Sequence, residues 1–145
     1  MTRICLLIVG VLAFAVVADA HVTMLPRESR AGVAETYSMR VPTEGTVTTV
    51  AVELEIPDGV TVVSVDGSTG AQYETRRVGD RVTAITWTTD IKPGESRQFG
   101  FNVINPKEGS VIIWKAHQRY EDNSSSDWIG PVGDKRPAPR TKLSQ

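Results

Sequence analysis

The sequence predicts an all-β fold, a single antiparallel β-sandwich, and three observations predict it. Beyond residue 34 apolar and polar residues alternate with a period of two. Clusters of Gly, Pro, Asn and Asp interrupt these runs about every 8–12 residues. After the leading apolar segment, no stretch carries the 3.6-residue period of an amphipathic helix.

Along the chain, "TYSMRV" reads as a strand, and "TVTTVAVELEI" as a longer one with Val50, Val52, Leu54 and Ile56 on one face. "PDG" breaks it, and "VTVVSV" is the next strand. After the turn cluster "DGSTG", "QYETRRV" and "RVTAITW" pair across Val78-Gly79-Asp80-Arg81. "KPGE" is another turn, and "SRQFGFNV" alternates Phe99, Phe101 and Val103. "NPKEG" precedes the strongest strand pattern, "SVIIWKAHQRY". "EDNSSSD" reads as a polar loop and "WIG" as a short last strand. About seven such strands fit a sandwich of immunoglobulin-like or cupredoxin-like shape. The end of the chain, residues 134–145, has two prolines in "RPAP" and no evident apolar period, and is expected to be a disordered tail.

Residues 1–20 read as a signal peptide. Arg3 supplies a basic start, Ile4 to Val17 is apolar, and Ala18-Asp19-Ala20 offers small residues where signal peptidase reads. The apolar run is shorter than the roughly 20 residues a membrane-spanning helix needs. Cleavage after Ala20 makes His21 the first residue of a secreted or periplasmic domain, residues 21–133, with no membrane anchor after cleavage. Loss of Arg3 and Asp19 leaves the net charge at -1, which argues against nucleic acid as a partner. The one cysteine, Cys5, lies in the leader, so the mature domain has no disulfide and depends on its core.

His21 is one of two histidines in the chain. A free N-terminal histidine offers its α-amine and ring Nδ1 to close a chelate on one metal. Nitrogen donors in a partly planar arrangement suit Cu(II) among common divalent ions. The α-amine titrates near 7.7–8.0 and imidazole near 6.5, so both release their protons to a metal cheaply at neutral pH. In the uncleaved chain the nitrogen of His21 is an amide bonded to Ala20, which cannot act as an amine ligand. Cleavage therefore makes the ligand.

"HVTMLPRES", "YSMRVP", "PGE..FGF", "WKAHQRY" and "DWIGPVGDKRPAP" occur in an order that resembles the YcnI-like family of exported copper-binding domains. The resemblance runs from His21 to about Pro139. It implies a β-sandwich that binds Cu(II) through a mono-histidine brace. His21 would supply the amine and Nδ1, Glu28 a carboxylate oxygen, and Trp128 would pack beside the metal and limit solvent. Its indole N–H only donates, so Trp128 is not a ligand. The resemblance also implies a buffer or metallochaperone for copper homeostasis rather than an enzyme. Its partners would be the copper ion and a copper transporter or another exported copper protein. Glu28 poses a difficulty, because seven extended residues span roughly 23 Å at ~3.3 Å each. Chelation requires the chain to turn back, and Pro26 is the expected place.

His117 departs from the family pattern, where an apolar or variable residue stands. Were it to reach the metal, the centre would be a two-histidine brace, nearer to copper-dependent oxidases or oxygenases or to other periplasmic copper carriers. Alternation puts it on one face with Lys115 and Arg119, a cationic neighbourhood that favours solvent over a metal. Met24 and Met39 are expected to pack rather than to ligate. "EDNSSSD" lacks the Gly and Glu of an EF-hand loop, and Ser124 to Ser126 have no histidine at a hydrolase spacing. A metal-free interaction module is the remaining alternative.

Overall fold

A computed structural model describes residues 20–68 and 70–145. The expected signal peptide therefore lies, but for Ala20, outside the described residues. Twelve strands are described: β1 (Thr23–Leu25), β2 (Glu28–Arg30), β3 (Ala34–Pro42), β4 (Thr49–Glu55), β5 (Thr61–Val65), β6 (Tyr73–Val78), β7 (Arg81–Ile91), β8 (Ser96–Ile104), β9 (Val111–Ile113), β10 (Lys115–Tyr120), β11 (Ser125–Trp128) and β12 (Arg140–Ser144). Two antiparallel sheets, β1-β3-β8-β5 and β11-β10-β4-β7-β6, face each other, and a small sheet β2-β12-β9 lies beside them.

Period-two alternation builds the core as expected. Tyr37, Met39 and Val41 of β3 and Phe99, Phe101 and Val103 of β8 point inward from one sheet. Val52 and Leu54 of β4, with Ile85 and Trp87 of β7, point inward from the other. Aromatic rings fill the space between: Trp87 meets Phe99 at 5.1 Å and Tyr37 meets Trp114 edge-on at 4.9 Å. The β6–β7 hairpin closes across Val78 and Arg81 as the sequence indicates. Gly79 there has φ 58°, the left-handed region that a two-residue hairpin turn demands.

Four expectations are corrected. "SVIIWKAHQRY" is not one strand: it breaks at Trp114, with β9 joining the small sheet and β10 the five-stranded one. Trp114 is fully buried, its backbone N–H donating to Pro139 O and its indole N–H to Thr141 Oγ1, so it pins the crossing between sheets. The tail is not disordered. β12 lies antiparallel to β9 and parallel to β2, with Thr141 and Leu143 buried, so the domain extends to Ser144 rather than 133. Two buried positions in a five-residue strand are too few to announce it by periodicity. The loop "EDNSSSD" gives up Ser125 to Asp127 to β11, because Ser126 points inward. Val50 does not share the buried face of Val52, because a register shift between Thr49 and Ala51 turns it half out.

Candidate metal centre

The residues just after His21 position it. Val22 and Met24 are buried, 3% and 2% exposed, and anchor the start of the chain against the core. β1 then pairs with β3, setting Met24 opposite Met39; both methionines pack, as expected. Alternation leaves the His21 side chain exposed. β1 is one edge of the four-stranded sheet and β11 one edge of the five-stranded sheet. His21 and Trp128 meet between these two edges, with ring centroids 5.9 Å apart and planes inclined by 59°.

Trp128 is held by Gln118, which is itself almost fully buried. The indole N–H donates to Gln118 Oε1 at 3.1 Å, while Gln118 Nε2 donates to Pro42 O at 2.9 Å and Thr49 Oγ1 at 2.6 Å. Every polar atom of the amide is thereby paired, which fixes its orientation. Gln118 is a positioning residue that residue-by-residue reasoning missed. The only signal was a buried-face amide inside an otherwise apolar strand pattern.

Two cavities share His21. One, of about 210 Å³, includes Arg27 and the stretch Pro137 to Arg140 in its wall. The other, of about 430 Å³, runs along Gln118, Trp128, Glu44, Lys135 and Arg136. Glu44, from the loop between β3 and β4, is the carboxylate in these walls; Glu28 lines neither cavity. Glu28 opens β2, exposed, opposite Lys142 in the small sheet, after a cis Leu25–Pro26 bond that marks the change of sheet. Among the described residues no three His, Cys, Asp or Glu side chains converge to hold a metal.

His117 lies elsewhere. Ala116 and Gln118 of β10 and Ser126 and Trp128 of β11 face inward, so His117 and Asp127 face the opposite side of the sheet from His21. The expected cationic neighbourhood is corrected: pairing across strands brings carboxylates to the ring. His117 Nδ1 lies 2.7 Å from Asp127 Oδ1 and Nε2 lies 2.8 Å from Glu55 Oε2. Neutral imidazole has one N–H, so only the imidazolium donates to both. Burial, the largest single influence, lowers the His117 pKa. The hydrogen bonds and charges of Asp127 and Glu55 together outweigh it and raise the pKa above the ordinary 6.5.

Residues 21–143 match the family model described as "Domain of unknown function (DUF1775)". Over 131 residues the chain is 37% identical to the "Copper-binding protein CutI" of Bacillus subtilis (strain 168). That alignment covers 88% of this chain and 64% of the relative, so the chain spans less than two thirds of the relative's length. A Nocardia farcinica protein, described as revealing an immunoglobulin-like fold, superimposes with a TM-score of 0.77 at 24% identity, covering 87% of this chain and 99% of that one. A non-cellulosomal cohesin from Archaeoglobus fulgidus superimposes with a TM-score of 0.50 at 10% identity, over 86% and 91% of the two chains. These likenesses establish the fold as immunoglobulin-like.

Proposed function

The chain belongs to the DUF1775 family, the YcnI family its motifs resemble, and from that premise we propose that it is an exported copper-binding protein. Residues 1–20 direct export and are removed, and the mature domain begins at His21. Copper is captured as Cu(II) by the freed α-amine and Nδ1 of His21 with a carboxylate oxygen of Glu28, which the family resemblance nominates although Glu28 lines neither cavity beside His21. Exchangeable water completes the shell. Trp128 covers one side and restricts solvent, which favours a defined geometry without adding a ligand. Exchangeable positions let an acceptor's ligands enter before the first ones leave, so the protein serves as a buffer or metallochaperone. A copper transporter or another exported copper protein is the recipient.

One observation carries this reading: the His21 ring rests on Trp128 at the meeting of two edge strands, in a chain 37% identical to a copper-binding protein. A copper oxidase built on two histidines is disfavoured, because His117 faces the other side of the sheet. The test compares Cu(II) affinity of three proteins: one starting at His21, one with an added residue ahead of it, and Glu28→Ala. Blocking the amine weakens binding by more than a hundredfold and Glu28→Ala by about tenfold, each factor of ten being ~1.4 kcal/mol. Equal affinity of the first two sinks the brace, and no binding by any leaves a metal-free interaction module.

A further inference from the structure

The whole chain is nearly neutral, with 16 basic and 17 acidic residues. The walls on either side of His21 are not. Arg27 and Arg140 line one of its cavities and Lys135 and Arg136 the other, against the single carboxylate of Glu44. Among the described residues none of these four cations has an ion-pair or side-chain hydrogen-bond partner. Arg140 Nε is buried with no acceptor among the described residues, which leaves it open to a ligand or a water.

The backbone that carries these cations is held in place. Gly130 N donates to Arg136 O and Ala138 N to Gly130 O, both at 2.9 Å, and Arg136 N donates to Asp134 Oδ1 at 3.1 Å, so the loop bearing Lys135 and Arg136 is braced. Arg27 O accepts from Lys142 N at 2.8 Å, and Arg140 begins β12. Four cations on either side of His21 repel a bare dication approaching it and attract one that arrives inside an anionic shell.

We propose that these cations form an anion-binding collar that receives a small polycarboxylate, the ligand shell in which copper is presented to His21. The cavity of about 430 Å³ that bears Lys135 and Arg136 and the one of about 210 Å³ that bears Arg27 and Arg140 share His21, and such concavities suit a small molecule rather than a flat protein surface. Arginine and lysine are the side chains that recognise carboxylates. The identity of the metal rests on the copper-binding reading; the anion site does not.

The test titrates citrate into metal-free protein starting at His21, by calorimetry at 20 mM and 200 mM salt. Citrate binds, at least fivefold more weakly at high salt. Lys135→Gln/Arg136→Gln and, separately, Arg140→Gln each weaken it at least fivefold while circular dichroism stays unchanged. Lys135 and Arg136 are exposed, so the first variant keeps the test open if Arg140→Gln fails to fold. A parallel arm adds Cu(II) in a nitrogen-donor buffer. Copper binding without citrate binding, or citrate binding indifferent to all three cations, overturns the collar. Citrate binding without copper binding upholds the collar and overturns the copper reading alone. A glutamate-rich octapeptide that binds more tightly than citrate through the same residues replaces the small molecule with an acidic protein segment and overturns the assignment.

Discussion

The indole N–H of Trp128 donates to the side-chain carbonyl of Gln118 at 3.1 Å, and this bond sets the wall on which the His21 ring rests. Gln118 is buried and makes two further bonds, to Pro42 O and Thr49 Oγ1. Gln118→Leu leaves the indole and the backbone carbonyl of Pro42 without partners. We expect a loss of about 2–4 kcal/mol in urea unfolding, since each orphaned buried group costs about 1–3 kcal/mol.

Trp128 also offers an optical readout. Trp87 and Trp114 lie in the core, fully buried, whereas Trp128 touches His21. Cu(II) added to protein starting at His21 should quench tryptophan emission, and Trp128→Phe should remove most of that quenching. Undiminished quenching in the variant would place the metal elsewhere.

His117 gives a pH dependence with a definite sign. Its folded-state pKa is raised above 6.5, because the hydrogen bonds and charges of Asp127 and Glu55 outweigh the lowering by burial. The contribution of the imidazolium to stability is therefore complete below about pH 6.5 and is lost as pH rises through the folded-state value. His117→Gln should flatten the decline of stability between pH 6 and 8, measured by urea unfolding at several pH values. A wild-type protein that gains stability over that range through His117 would contradict the arrangement.

The C-terminal strand is open to a direct measurement. Leu143 is 5% exposed and packs into the main core from β12. Leu143→Ala should cost about 2–4 kcal/mol, the range for deleting a buried leucine side chain. Amides of Lys142 and Leu143, which donate to Arg27 O and Ser110 O, should exchange slowly with deuterium. Fast exchange there would restore the disordered tail.

The alternation of apolar residues by itself determined the sandwich, because a strand with one face buried must repeat every two residues. Tyr37, Phe99, Phe101, Val52 and Leu54 are legible in that way, and so is the hairpin at Gly79. Position alone singled out His21, since the proposed chelating amine would be a property of the covalent chain and not of the fold. The motifs, taken together, identified the family. Only the tertiary structure decided the surroundings of these residues. β12 forms because β2 and β9 satisfy its backbone, a non-local pairing that no local pattern in "APRTKLSQ" announces. His117 reads as flanked by cations along its own strand, yet Glu55 and Asp127 reach it across two strand pairings. The wall behind His21 likewise depends on Gln118 and Trp128 meeting across β10 and β11. Alternation decides which side chains share a strand face; which strands become neighbours is settled by packing the two sheets together, and that packing assembles the chemistry.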